Sequence, residues 1–544
     1  MKAAERQRPP TIAATPTQSR GYLTMLKVKR LSAALALSLA VLAPIALQAA
    51  PAQASHGQVA LFEEDTNLLA HPDSTMATLH RLGVGRVRLA VVWAAVAPSP
   101  NSFTKPSFNA ANPNAVGYNW GPYDAVVRAA LTQHVALDLL ITSGVPLWAD
   151  GPGIPGAARA KHYAWKLSAK DYGDFVYAAG RRYAHTVHAW EIFNEPNFGE
   201  DLGPQAVNGS RDSVAPSMYR GVVDAGFTAL RASGHGHDTI VIGQLSARGM
   251  AGPVTRSHPE GLPGDFAQTK PLRFIRTLYC LDGSYRQLRG SAAAAVGCPT
   301  TAAGSRAFRA HHPGLFSATG FGIHPYPQGL PPTRDASNDP DYVPFSAIPT
   351  LQRTLDRAQS AYGSHRRLPI YNTEYGYVTH PPGARGFVSP SRAALYLNQA
   401  EYLSWRNPRI ANWMQYLLFD PVVGGPSGFF SGLESYSGRP KGPMLDAYRL
   451  PLFLPTDSAR RGRRLMVWGA VRPEHFYPKS PTAAIQFARR ARGPFVNVGK
   501  VTIHDPRGYF VTHLAFPASG FVRVAWKYPG GSTIISRLAT VAIR

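Results

Sequence analysis

Eight short apolar runs alternate with amphipathic stretches between about Gly57 and Pro455, and this alternation limits the fold more than any other feature. The runs are 58–62, 85–93, 135–142, 187–193, 239–245, 320–324, 368–374 and 411–419. Each is rich in β-branched or aromatic residues and has the length of a strand buried on both faces. Helix signals fall between them. Asp73 can cap a helix that Gly83 ends, Ser168 can cap another running to Tyr183, and Ser389-Pro390 supplies a cap and first-turn pair for a helix to Trp405. Further helical stretches are expected at 123–133, 216–232, 272–286, 351–361 and 444–449. Eight strands alternating with helices predict a (β/α)₈ barrel. An open doubly wound sheet has the same alternation, so closure is left open by the pattern.

The fourth run leads into V-H-A-W-E-I-F-N-E-P-N, Val187 to Asn197. Proline cannot continue a ladder, so Asn194-Glu195-Pro196 ends the strand abruptly and leaves a carboxylate at its C-terminal lip. In a closed barrel that lip is where catalytic groups sit. The seventh run, within L-P-I-Y-N-T-E-Y-G-Y, ends the same way at Glu374. An isolated glutamate is ordinarily a surface loop acid. Two glutamates, each closing a buried strand, point instead to a paired site.

Three segments, Asn194-Glu195-Pro196, His324-Pro325-Tyr326 and Thr373-Glu374-Tyr375-Gly376, together with the barrel rhythm, resemble clan A glycoside hydrolases. The resemblance covers most of the chain between about Gly57 and Pro455 and is closest to family 39 and family 5, the cellulase and β-xylosidase types. It implies a retaining glycoside hydrolase that cleaves O-glycosidic bonds of a polysaccharide or oligosaccharide through a covalent glycosyl-enzyme intermediate. Glu195 would be the acid/base, its pKa raised by burial and by the neighbouring carboxylate, and Glu374 the nucleophile. Asn194 would bond the sugar 2-hydroxyl. Tyr326 would donate to Glu374, and His324 would sit near the acid/base or the sugar; a satisfied core histidine is the alternative.

Arg88 would support the nucleophile, with an ordinary ion pair to Glu191 as the rival reading. Trp413 would floor the −1 subsite. Trp148 is a further sugar platform, as are Trp120, Tyr377 and Tyr416, each otherwise a core residue. The acidic cluster Glu63-Glu64-Asp65 could bind hydroxyls or a cation; without a calcium-type loop, neither metal nor cofactor is expected. The same site would serve a transglycosylase, and a non-catalytic carbohydrate-binding protein of the cell envelope is the rival from another class.

Lys27, Lys29 and Arg30 precede the apolar run 31–47, with Ala52-Gln53-Ala54 before Ser55, the pattern of a secretory signal. An uncleaved membrane anchor is the alternative, and Met25 offers a second start. Residues 1–54 are therefore an extension and leader, 55–455 the barrel and 456–544 a separate domain. That last stretch reads as a small antiparallel β-sandwich, with short alternating runs punctuated by Gly, Pro and Asp. The expected location is secreted or envelope-associated, and Cys280 and Cys298, the two cysteines, can pair in that compartment.

The formal charge is +25. Residues 456–544 hold 15 Lys/Arg against 3 Asp/Glu. Carbohydrate is the expected substrate, an anionic cell-wall polymer the candidate partner of the basic domain, and the chain is expected to be a monomer. Nucleic acid is not expected, because no recognisable binding motif is present.

Overall fold

The computed structural model describes residues 58–206, 213–249, 268–335, 337–385, 387–422, 428–473 and 480–544. The leader and cleavage site expected in 1–54 lie outside them. No helix among the described residues is long and apolar enough to cross a membrane.

Eight parallel strands form one sheet: β1 (Val59–Glu63), β2 (Arg86–Val92), β3 (Ala136–Thr142), β4 (Ala189–Ile192), β5 (Thr239–Ser246), β6 (Gly320–His324), β7 (Ile370–Asn372) and β8 (Asn412–Tyr416). From β1 to β7 each pairs with the next in sequence, and β8 pairs with β1. The seam between β7 and β8 closes the ring. It holds one backbone bridge, Ile370 to Ile410, with the Ile370 amide 2.7 Å from the Arg409 carbonyl. The Asn412 side chain takes the place of further ladder: its amide donates to the Asn372 carbonyl at 2.6 Å and its oxygen accepts from the Asn372 amide at 3.0 Å. The open-sheet alternative therefore falls, and the fold is a closed barrel.

Ser168 and Ser389 accept from the amides of Asp171 and Arg392, capping helices Ala169–Arg182 and Pro390–Arg406 as expected. Asp73 is not a cap. His71 precedes helix Pro72–Arg81, Pro72 takes the first helical position, and Asp73 lies in the first turn. Gly83 ends this segment with φ +75°, and a Cβ there would lie 2.9 Å from Pro473 Cα, so glycine is needed twice over.

The helix expected at 272–286 is only Pro271–Leu278. Cys280, at φ +55°, leaves the helical path and is bonded to Cys298. The Arg220 guanidinium donates to the carbonyls of Thr277, Leu278 and Gly297, tying the helix end to the disulfide loop. Three short helices, Gly290–Ala294, Ala302–His311 and Pro313–Ser317, fill a stretch for which the sequence suggested no element.

After Pro455 the strands are antiparallel: β9 (Arg464–Ala470), β10 (Thr482–Ala488), β11 (Val496–Thr502), β12 (Tyr509–Ala515), β13 (Gly520–Lys527), β14 (Thr533–Ile535) and β15 (Ala539–Ile543). Leu452–Phe453, β9 and β12 make one sheet. Ser458–Ala459, β15, β13, β10 and β11 make the other, with β14 on β13. Their inner faces bury Leu465, Val467, Ile485, Phe487, Val522, Val524 and Trp526 together. Between β14 and β15 the chain turns, and the Ser536 hydroxyl accepts there from the Val524 amide.

The sandwich packs beneath the barrel. Trp468 and Tyr509 bury against Tyr402, and buried Glu401 accepts from Tyr509 at 2.9 Å and from Arg472. Tyr509 also reaches Gln58, just before β1, and Pro473 meets Gly83, just before β2. These contacts lie where the strands begin, opposite the lip where Glu195 and Glu374 sit.

Candidate active site

Two strand ends define the site. β4 stops at Ile192, and Phe193 and Glu195 both adopt left-handed backbone, at φ +64° and +30°. Phe193 packs on Tyr172, while the Glu195 amide donates to the Gln244 carbonyl at 3.1 Å. Such strain in non-glycine residues persists only where surrounding bonds over-determine it. Here it holds Glu195 at the barrel mouth. β7 ends at Asn372, and Glu374 follows two residues on.

The two carboxylates and His324 converge, one oxygen of each glutamate and the imidazole nitrogen all lying within 4.8 Å of one another. His324 Nδ1 is 2.7 Å from Glu195 and 3.5 Å from Glu374. Tyr326 donates to Glu374 at 3.2 Å. Arg88, fully buried, donates to Glu374 at 3.0 Å, to Glu191 at 2.8 Å, to Glu63 and to the Asn194 oxygen at 3.1 Å. Arg88 thus pairs with both Glu191 and Glu374, the partners that its two sequence readings named. Asn194 bridges Arg88 to Asp201, donating to the latter at 3.3 Å.

Burial sets the protonation of this cluster. It raises Glu195 to about 7, opposed by the positive charge of Arg88; the neighbouring carboxylate invoked from sequence is not among the causes. Burial lowers His324 to about 4, so its ring is neutral near pH 7. Below the pair, burial raises Glu191 to about 8 and Asp65 to about 7, and also raises Glu63 and Asp138. Glu195, His324 and Glu374 have the spacing of a three-ligand ion site, but the Arg88 guanidinium already supplies positive charge at Glu374, which disfavours a cation there.

Titration of Glu195 gives a signed expectation. A group needed in its protonated form is lost as pH passes its pKa, so kcat/KM should fall about tenfold per unit above roughly pH 7. Glu195→Gln should remove that alkaline limb. A limb that persists in this variant would assign the ionisation elsewhere.

Other expected positions fall away from the pair. Glu63 faces inward onto Arg88 and pairs in register with Tyr416, whereas Ala60 pairs with Trp413. Trp413, three residues before Tyr416, thus points out of the ring and packs on Tyr375 at 5.6 Å between ring centroids. It does not floor the site. Tyr416 stands at the mouth instead, grouped with Tyr326 and Phe429. Trp148 packs edge-on to Trp93 and donates to the Pro98 carbonyl, Trp120 stacks on Phe175, and Tyr377 donates to the Leu330 carbonyl. These three are packing residues. The Glu63-Glu64-Asp65 cluster is likewise engaged within the protein: Glu64 accepts from the Leu418 and Phe419 amides and Asp65 from the Ala90 amide.

Three residues of the site were missed in the sequence. Gln244 passes its backbone carbonyl to Glu195, and its side chain accepts from Thr373, the neighbour of Glu374, so one residue ties both strand ends. Gly243 inside a strand was a legible signal of the register shift in β5 that turns Gln244 inward. Asp201, held by Ser143 and Asn194 and raised well above the usual carboxylate range by burial, and Phe429 had no such signal.

A closed parallel barrel with carboxylates at the ends of its fourth and seventh strands is the arrangement that the resemblance to clan A glycoside hydrolases implied. Among solved structures the chain is similar to a family 1 β-glucosidase from Thermotoga maritima, with 13% identity, 72% of this chain and 96% of that one covered, and a TM-score of 0.43. It is similar to a family 5 glycoside hydrolase from Bacteroides vulgatus, with 8% identity, 90% and 93% covered and a TM-score of 0.41. A family 30 endoxylanase from Clostridium papyrosolvens gives 9% identity, 86% and 96% covered and a TM-score of 0.43. The likeness is one of fold. No family model matches the chain, and no curated protein matches it.

Proposed function

We propose that the chain is an exported retaining glycoside hydrolase acting on a β-linked glycoside, or an α-L-arabinofuranoside-type linkage, in a polysaccharide or oligosaccharide. The observation that carries this reading is the approach of Glu195 and Glu374 oxygens to within 4.8 Å. Retaining enzymes hold their carboxyl groups about 5–5.5 Å apart, whereas inverting enzymes leave roughly 6.5–9.5 Å for a water.

Glu195, protonated near neutral pH, gives its proton to the leaving oxygen while Glu374 attacks the anomeric carbon. Arg88 and Tyr326 hold Glu374 in place through its two oxygens. Neutral His324 fixes the Glu195 carboxyl through Nδ1. Glu195, now ionised, takes a proton from water, which attacks the glycosyl ester and releases Glu374. Two inversions leave the configuration unchanged.

The test is a panel of aryl glycosides followed by proton NMR of the first-formed sugar. The expected product keeps the substrate's anomeric configuration, and an inverted product overturns the reading. Export is tested separately by N-terminal sequencing of protein from culture supernatant, which should begin near Ser55. Retention of 31–47 in a membrane fraction would overturn cleavage.

A further inference from the structure

The basic charge of the chain is concentrated, and the topology of the sandwich shows where. Residues 55–455 hold 35 Lys/Arg against 28 Asp/Glu, close to balance for a stretch of that length, while 456–544 hold 15 against 3. Within the sandwich, Ser458–Ala459 and β15 run in parallel, with Ala459 opposite Ile543. β13 pairs antiparallel with β15, Gly520 opposite Val541, and with β10, Phe521 opposite Ala488. In the other sheet Arg464 opens β9 opposite Ala515, the last residue of β12. The turns 460–463, 489–495 and 516–519 therefore gather at one end of the sandwich.

That end carries Arg460, Arg461, Arg463, Arg464, Arg489, Arg490 and Arg492, all exposed. No aspartate or glutamate occurs in those three turns, and none of the seven arginines makes an ion pair among the described residues. The opposite end carries Arg472, Asp505 and Tyr509, and it is the end docked beneath the barrel. The arginine end therefore faces away from the barrel.

We propose that this arginine end is a docking surface for a linear anionic polysaccharide, holding the enzyme on a charged glycan while the barrel mouth stays open. Seven guanidiniums without an ion pair among the described residues, on three adjacent turns, form a multivalent field for carboxylate or sulfate groups repeated along a chain. Arg-rich composition alone would scatter cations over the barrel as well, and the barrel is close to balanced. A single-stranded nucleic acid is ordinarily held by rings on which its bases stack as well as by charge. The ring ending the 489–495 turn, Phe495, is covered by the Arg523 guanidinium at 3.8 Å, and Phe516 is buried. The choice of a glycan rests on the proposed hydrolase function, but binding is measured without turnover, so either can fail alone.

The experiment uses the full chain. One variant carries R461Q, R463Q, R489Q, R490Q and R492Q. A control carries R128Q, R181Q, R353Q, R367Q and R392Q, the same charge change on exposed barrel positions. Binding is titrated against polygalacturonate, dextran sulfate, uncharged dextran and a single-stranded DNA of similar length, across 50–200 mM salt. Wild type and control should bind both anionic polysaccharides, with affinity falling steeply as salt rises, and should not bind dextran. The first variant should lose tenfold or more at 50 mM salt and show a shallower salt dependence, with circular dichroism unchanged. Polygalacturonate held more tightly than dextran sulfate would assign carboxylates, the reverse sulfates. Equal losses in the two variants, no loss in either, or no binding by wild type would overturn the docking surface. Tighter binding of the DNA than of both polysaccharides at 150 mM salt would overturn the glycan assignment.

Discussion

Glu374→Ala should abolish turnover of aryl glycosides by roughly 10⁵-fold, the scale on which loss of a nucleophile is felt when its partners cannot replace it. Sodium azide should restore part of the rate and give a glycosyl azide of inverted configuration, because a small anion fits where the carboxylate stood. Glu195→Ala should behave differently. Its loss, about 10²–10⁴-fold, should be large for poor leaving groups and small for dinitrophenyl glycosides, which leave without a proton. Azide should then give a product of retained configuration, attacking the glycosyl ester in place of water. The two variants thus separate the roles by stereochemistry as well as by rate. An inverted azide from Glu195→Ala, or none from Glu374→Ala with a well-folded protein, would require the roles to be reassigned.

Arg88→Met should be the most damaging single change to the barrel. The guanidinium is buried among Glu63, Glu191 and Glu374, and all three approach it directly. Removing one partner of a buried charge pair costs about 3–5 kcal/mol, since the charges left behind are neither paired nor solvated. The loss should depend on pH, and its sign follows from the shifts. Burial raises Glu63 and Glu191, the latter to about 8, so at low pH these carboxyls are protonated and need no counter-charge. As pH rises they ionise in the unfolded chain first, and folding stability falls. Without Arg88 their folded pKa values rise further, which widens that window. Denaturant melts should show a gap between wild type and Arg88→Met that is steady from pH 5 to about pH 8 and grows above it, where Glu191 has ionised in the wild-type fold but not in the variant's. A gap independent of pH would mean that lost packing, not lost charge, is responsible.

Much of this site could be read from the sequence because its chemistry sits at strand ends. Asn194-Glu195-Pro196 and Thr373-Glu374 announce where strands stop, and His324 and Tyr326 follow a strand whose limits, Gly320–His324, were as expected. Arg88 could be placed because it matches the arginine that the clan resemblance sets on the second strand. Trp413 was misplaced for want of register. Whether a residue in a strand faces in or out depends on parity, and only the pairing of Glu63 with Tyr416 fixes it. Gln244 and Asp201 act through partners far apart in the chain, Thr373 and Ser143, contacts that no local pattern encodes. The helices between Gly290 and Ser317 were missed because a disulfide and the Arg220 contacts organise that stretch more than any amphipathic repeat.

The way the ring closes bears on how the enzyme would breathe. β7 has three residues, and on one side it is joined to its neighbour by a single backbone bridge and the amide group of Asn412, with one more bond past its end, from the Tyr416 amide to the Tyr375 carbonyl at 2.9 Å. Amides along this join should exchange with solvent sooner than those of β2 and β3, which share seven register pairs. Glu374 lies just past this thin hoop, so fluctuations there would change the gap between the two carboxylates before they loosened the fold. The join that completes the cylinder is then also its slackest part, and the spacing on which the chemistry depends would be kept by Arg88, Tyr326 and Gln244, which grip the strand end from outside the join.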